Sequence, residues 1–422
     1  MRRSILLAFI WVTYGSVSCA FGIGGGLANS PWPDYGGGLR NTHLSPAIGP
    51  NGPVGVLWQY SIPVVPGRFN IPYRQPVLGS DGTIFFSTFT DGQGFITALN
   101  PNGSVKWSKN QGRTGFWMAV DANGYLYNEG WASTSSSNGT IFAQSQATGA
   151  TIWQATYPGV PLESGPTVGN DGNVYTAVGG LSSFNLAGQL NWQVGASEKQ
   201  YRNPAIAPDG TVYLDGQFQL KAFSPAGANI WTTNVGKRLG PVSINDSGNL
   251  FVGSANEITH AFYSFTSSGV ERWRRNDLGG VAAIGPNGTI YAGYEGMLHA
   301  IHPDTGQDLW SYATGQIDEF GVEGVTVDAL GNIYLANAQG ILMSLSPAGA
   351  LRWQFDLAPN DNSNVFPGAP VIGANGVIYV AGGSTNKVFA IGVPEPSTML
   401  LAMVVIATLP VRHRKSVLHI RA

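Results

Sequence analysis

The sequence predicts an all-β fold: an eight-bladed β-propeller of four-stranded antiparallel blades, closed by an N-terminal strand. Three observations lead there. First, tryptophan recurs at a spacing of about forty residues, the mark of stacked supersecondary units: Trp58, Trp107, Trp153, Trp192, Trp231, Trp273, Trp310 and Trp353. Seven of them stand four residues after a glycine (Gly103, Gly149, Gly188, Gly227, Gly269, Gly306, Gly349), whereas Gly52 precedes Trp58 by six. Second, each unit carries an apolar run, a turn pair and a β-branched or aromatic run, as in Pro204-Ala205-Ile206, Asp209-Gly210 and Val212-Tyr213-Leu214. Asp-Gly and Asn-Gly between apolar strands signal hairpins, because such turns need positive φ. Third, one small residue per unit recurs in a third strand: Ala98, Ala143, Ser183, Ala222, Ser264, Ala300, Ser344 and Ala390. Small side chains there predict close approach by a neighbouring sheet.

Each unit therefore reads as strands A, B, C and D, with the tryptophan on D. The last unit, Pro370 to Ile391, has A to C but no Gly-x-x-x-Trp, and Trp58 has a D strand with no A to C before it. Joining the two closes the ring, as radially stacked units require. The eight tryptophans are expected to pack blade against blade, each covering roughly 150–250 Å².

Composition narrows the function. Net charge is −2 and charged residues are 11% of the chain, which leaves no electrostatic footprint for nucleic acid. The single cysteine, Cys19, excludes an internal disulfide framework.

The ends carry an address. Met1-Arg2-Arg3, the apolar Ile5 to Val12 and a small-residue stretch form a signal-peptide pattern over residues 1–20, cut after Ala20; acylation at Cys19 is the alternative. Residues 21–48 are a lead-in, 49–392 the propeller and 393–422 a C-terminal segment. In that segment Val393-Pro394-Glu395-Pro396-Ser397 precedes an apolar run from Met399 to Leu409, then Arg412, Arg414 and Lys415. Thirteen residues from 399 to 411 make roughly 20 Å of helix, short of a hydrocarbon core of roughly 30 Å, so a transient anchor is expected rather than a permanent one.

The Pro394, Glu395, Pro396 motif with its apolar run and basic cluster resembles the PEP-CTERM sorting signal. The resemblance implies recognition by an exosortase, a membrane-held precursor and delivery to the cell surface or extracellular matrix. The unit Ala300 to Trp310 (Ala-Ile-His-Pro-Asp-Thr-Gly-Gln-Asp-Leu-Trp), with Ala143 to Trp153 as its next copy, resembles the pyrroloquinoline-quinone-like propeller repeat. Pro31-Trp32-Pro33-Asp34-Tyr35-Gly36 resembles the segment that precedes such propellers. True quinoprotein dehydrogenases of that kind are implied to need Ca²⁺, a catalytic Asp and adjacent cysteines. The adjacent cysteines are missing here and no acidic cluster has ligand spacing, so neither the quinone nor a metal is expected.

No nucleophile elbow, dinucleotide loop or zinc motif occurs in the sequence. His299 and His302 are an odd separation apart, which on a strand sends side chains to opposite faces, and His302 occupies a turn slot; no metal pair is expected. What remains is the rim bearing the longer D–A and B–C connections. Its early connections are basic and aromatic (Tyr73, Arg74, Arg113, Tyr201, Arg202, Lys237, Arg238), its late ones acidic (Asp318, Glu319). Loops on a rigid scaffold are where binding concentrates. The expectation is a non-catalytic propeller taking an extracellular polysaccharide or a surface protein on this rim. The competing expectation is an enzyme, either a degenerate quinoprotein or a glycan-active propeller using Glu163 or Glu323. An envelope-assembly factor is a third possibility by fold analogy.

Overall fold

The computed structural model describes residues 26–63, 70–90, 93–112, 114–131, 138–158, 164–177, 180–195, 202–216, 218–254, 260–315, 324–359 and 367–394. The signal segment, Cys19 and the sorting residues Glu395, Pro396, Arg412, Arg414 and Lys415 lie outside the described residues, as does the apolar run before the basic cluster.

Eight four-stranded antiparallel sheets are formed, and seven are sequential units. In the eighth, the strand Gly55–Ser61 pairs with Lys387–Gly392, bringing Trp58 opposite Ala390. The expected ring closure by the N-terminal strand is present.

The repeated small residue has a second role besides the expected one. Each faces its own blade's tryptophan on one side and the strand-B aromatic on the other: Ala222, for example, pairs with Trp231 and Tyr213. A bulky residue there would hold the two rings apart. With alanine or serine between them, Tyr213 and Trp231 meet at 5.9 Å between centroids, as do Tyr291 and Trp310, and Tyr334 and Trp353. The small residue thus closes an aromatic layer within its blade, and it also packs against the neighbouring sheet, as expected: Ala98 shares a core cluster with Met118 and Val120, and Ala222 with Val242 and Ile244.

The tryptophans then join blade to blade, as expected. Trp153 Nε1 donates to Leu186 O at 2.8 Å and Trp192 Nε1 to Pro225 O at 3.1 Å, each acceptor lying in the next blade's C–D turn. The ring lies flat on that turn's glycine: a Cβ at Gly188 would fall 2.6 Å from Trp153, and one at Gly227 2.6 Å from Trp192. These glycines serve twice, because their φ values of +80° and +83° also suit the turn. Gly52 likewise stands two residues after the accepting carbonyl, Pro50 O, which Trp353 reaches at 3.1 Å, but no ring lies on it, a Cβ there meeting nothing within 4 Å. Two extra residues between Gly52 and the closing strand account for its longer spacing, since the bulge before Trp58 recurs in the other blades.

Strand A of each blade faces the axis, and the A–B and C–D turns share one side of the disc. Across that side runs the lead-in segment. It reaches the inner strand of every blade. Leu78 N donates to Trp32 O, Val120 N to Pro33 O, Ile206 N to Leu39 O, Ile244 N to Arg40 O, Ile284 N to Thr42 O and Val327 N to His43 O, all between 2.6 and 2.9 Å. Thr167 Oγ1 donates to Asp34 Oδ2 at 2.6 Å, and Ser45 Oγ to Ile372 O at 3.4 Å, completing the circuit. Asn41 and His43 take φ of 49° and 53°, which turns successive carbonyls toward successive blades.

Candidate functional site

By strand order, the D–A and B–C connections occupy the side opposite the lead-in. Of the rim residues expected from sequence, Arg113, Tyr201, Asp318 and Glu319 lie outside the described residues, as do Glu163 and Glu323. Tyr73 and Arg74 fall within the inner strand Asn70–Leu78 of the first blade, where Tyr73 pairs with Ser87. Arg202, Lys237 and Arg238 stand just before the inner strands of the fourth and fifth blades. The structure thus places Arg74 in an inner strand and Arg202 and Arg238 in the connections that enter two others.

Arg202 is largely buried, at 9% exposure, and its backbone N–H donates to Asp215 Oδ1 at 3.0 Å. Burial pushes the Asp215 carboxyl up to about 7, opposed by the charges of Arg202 and Arg238. These two arginines therefore have an internal partner at this rim, which the sequence did not reveal.

Asp215 has a counterpart. Glu129 is fully buried, accepts hydrogen bonds from Ser164 Oγ at 2.8 Å and from Thr176 Oγ1, and has its carboxyl pushed to about 8 by burial. Tyr157 lies within its field, and its hydroxyl is raised, first by burial and then by Glu129. Both acids sit two residues after the strand-B aromatic, Tyr127 and Tyr213. The other six blades place Ser87, Ala177, Gly253, Gly293, Ala336 and Ala381 at that position. Aligning the repeats exposes this signal, which single motifs conceal.

The axial end of the lead-in is also polar. Trp32, Asp34, Tyr35 and His43 are buried beside Gln75, Trp117 and Asn203 of the inner strands. Tyr35 packs edge-on to Trp117 at 4.4 Å and to His43 at 5.2 Å. Gln75 Oε1 accepts from Gly36 N at 3.4 Å. Asp34 Oδ1, both His43 ring nitrogens, Gln75 Nε2 and both amide atoms of Asn203 have no hydrogen-bond partner among the described residues. Burial raises Asp34 to about 7 and lowers His43 to about 3, so His43 is neutral at physiological pH. The cluster offers neutral donors and acceptors beside aromatic walls.

A calcium-supported quinone would need more. Among the described residues no three His, Cys, Asp or Glu side chains gather. Asp34 lies in the lead-in and Glu129 and Asp215 in separate blades, each held by its own partners. A Cβ at Gly165 would meet Trp117 Cβ at 2.2 Å and Asn203 Nδ2 at 2.7 Å, so the axis is closely packed there. The described residues do not fit such a group. His302 Nδ1 accepts from Asp304 N at 3.2 Å, a turn contact, while His299 Nδ1 lies 3.0 Å from Asp308 Oδ2; the histidines do not converge. Asn102 and Asn287 likewise cap their own turns through Ser104 N and Thr289 N.

Eight aromatic-layered blades with indole docking between them define a propeller of the pyrroloquinoline-quinone repeat class. The sequence profile described as outer membrane protein assembly factor BamB matches residues 92–218 and 216–408, and the chain belongs to that family. No protein of curated function matches its sequence. Among solved structures, the quinohemoprotein alcohol dehydrogenase from Comamonas testosteroni is similar at 14% identity, TM-score 0.63, over 86% of this chain and 81% of that one. BamB from Moraxella catarrhalis is similar at 18% identity, TM-score 0.54, over 79% of this chain and 98% of that one. A europium-containing methanol dehydrogenase is similar at 12% identity, TM-score 0.61, over 86% and 98%. At these identities the likeness concerns the fold alone.

Proposed function

We propose that this protein is an exported, non-catalytic binding propeller, held at the cell surface or in the extracellular matrix. It takes a polysaccharide or a protein partner on its long-connection face. The observation that carries this reading is the asymmetry of the disc: the lead-in occupies the side of the tight turns, leaving the side with Arg74, Arg202 and Arg238 to present connections outward. Membership of a family described by an assembly factor supports binding over chemistry. The tail resembling a sorting signal supports processing by an exosortase and a membrane-held precursor, with residues 1–20 removed on export and 393–422 acting in sorting.

Arg202 has a structural partner in Asp215, so the test leaves it untouched. Replacing Tyr73, Arg74, Arg113 and Tyr201 together with alanine should abolish retention on extracted matrix polysaccharide while the melting temperature stays unchanged. Full retention by a folded variant would refute the rim as the binding face. Spectral titration with the quinone and Ca²⁺ addresses the competing quinoprotein reading; no shift is expected.

A further inference from the structure

We propose that in its membrane-bound state the protein lies with its tight-turn face against the lipid bilayer, the long-connection face turned away. The inference goes beyond the binding reading and holds whatever ligand the opposite face takes.

Exposed large apolar side chains are unevenly distributed. Of the thirteen among the described residues, only Phe218 lies in a B–C connection. The other twelve lie at or beside A–B and C–D turns or in the lead-in, on one side of the disc. Nine are at the beginnings of D strands and recur around the rim, among them Leu57, Ile152, Ile230, Val270, Leu309 and Leu351, at 42–62% exposure. Leu330 and Val393 add two more on that side, at 61% and 51%.

Several charges on that side are paired, although Asp171 and Asp209 stand exposed in the A–B turns of the third and fourth blades. Asp81 pairs with Lys106 at 2.9 Å, Asp246 with Arg40 at 2.5 Å and Asp304 with Arg272 at 2.6 Å. A rim of aliphatic groups with paired charges costs less to bring to an interface than one with isolated charges.

Both ends of the described chain leave from this same side. Gly26 lies by Asn170 in the A–B turn of the third blade, and Pro394 lies against Gly55 at the start of the closing strand. From Pro394 to Met399, where the apolar sequence begins, five residues span at most about 18 Å. An apolar run inserted in lipid therefore holds this side within that distance of the bilayer. The sequence before Gly26 contains the apolar Ile5 to Val12, so an uncut precursor would be held on the same side.

The test uses the full chain with Cys19→Ser, reconstituted in phosphatidylcholine vesicles carrying brominated acyl chains. An environment-sensitive fluorophore is attached at Val270→Cys, at Leu309→Cys or at Phe218→Cys. The two rim labels should lose most of their emission and the Phe218 label should keep it. Adding phosphatidylglycerol should not reverse this ranking of the labels, because the contact is made by aliphatic groups. A second variant, with Ile152, Ile230, Leu309 and Leu351 all changed to serine, should remain folded and bound through its tail while the Val270 label recovers emission. Vesicle-bound protein with all labels unquenched would mean a tether without contact and overturn the proposal. So would quenching confined to Phe218, failure of the chain to bind vesicles, or spin-label coupling between rim positions showing two copies face to face.

Discussion

The indole Nε1 of Trp353 donates to the carbonyl oxygen of Pro50 at 3.1 Å, a contact between residues 303 positions apart. It is the same bond that joins every other pair of blades, and here it fastens the seventh blade to the segment that leads into the closing strand of the eighth. Trp353 is 7% exposed, whereas the other seven docking tryptophans are only partly buried. Trp353→Ala should therefore cost about 3–5 kcal/mol, more than Trp192→Ala, in denaturant unfolding monitored by circular dichroism. Equal losses would show that the closing contact has no special weight.

The docking glycines separate two physical effects. Gly227→Ala forces a Cβ to within 2.6 Å of Trp192 and holds it at φ +83°, whereas Gly124 has φ +84° with nothing within 4 Å. Gly124→Ala should lose only the backbone preference, about 1–2 kcal/mol. Gly227→Ala should lose about 1–3 kcal/mol more through overpacking. Thermal melts of the two variants give the difference directly.

The lead-in should matter to all blades at once. Trp32 is completely buried, and Trp32→Ala should cost about 3–5 kcal/mol. Removal of residues 26–48 should reduce amide protection at Leu78, Val120, Ile206, Ile244, Ile284 and Val327 together, since each of these N–H groups donates to the segment. Hydrogen exchange resolved by residue would show whether the loss is shared or local.

Stability should fall as pH rises from about 5 to about 8. Asp34, Glu129 and Asp215 are raised in the folded protein to about 7, 8 and 7, each chiefly by burial, against roughly 4 in an unfolded chain. Over that window the folded state holds protons that the unfolded state has released, so each acid's contribution is full below about 4 and fades through its folded value. His43, lowered to about 3 by burial, works in the opposite sense below about 6.5 and offsets one of the three. Glu129→Gln should flatten the slope by about one proton, read from melting temperature against pH. An unchanged slope would contradict the assignment.

Arg202 and Asp215 should couple. Arg202→Ala leaves a buried carboxyl with less compensation and should cost about 2–4 kcal/mol. Combining it with Asp215→Asn should recover part of that loss, so that the double variant is more stable than Arg202→Ala alone. Additive losses in the cycle would mean the two do not interact.

The blade count and ring closure were legible because tryptophan, glycine and small residue repeat at fixed offsets, and because the leftover strand at Trp58 matched the gap after Ile391. The pairing of Ala222 between Tyr213 and Trp231 was missed, because spacing along one strand does not tell which side chain lies across it. Glu129 and Asp215 were legible only by aligning the repeats, where an acid replaces serine, alanine or glycine. The Asp34–Thr167 bond joins positions 133 apart, and no local pattern announces it. Lys237 gave a charge without a geometry, and Arg202 proved to face inward on Asp215.

The strap across the inner strands has a temporal implication. Its residues are among the first to be synthesised, yet their hydrogen-bonding complement includes Ile372, near the far end of the polypeptide. Completion of the early blades cannot make the assembly permanent while that complement is missing. An interrupted or prematurely terminated product would retain an unseated strap and an open seam, and would be marked for proteolysis at that site.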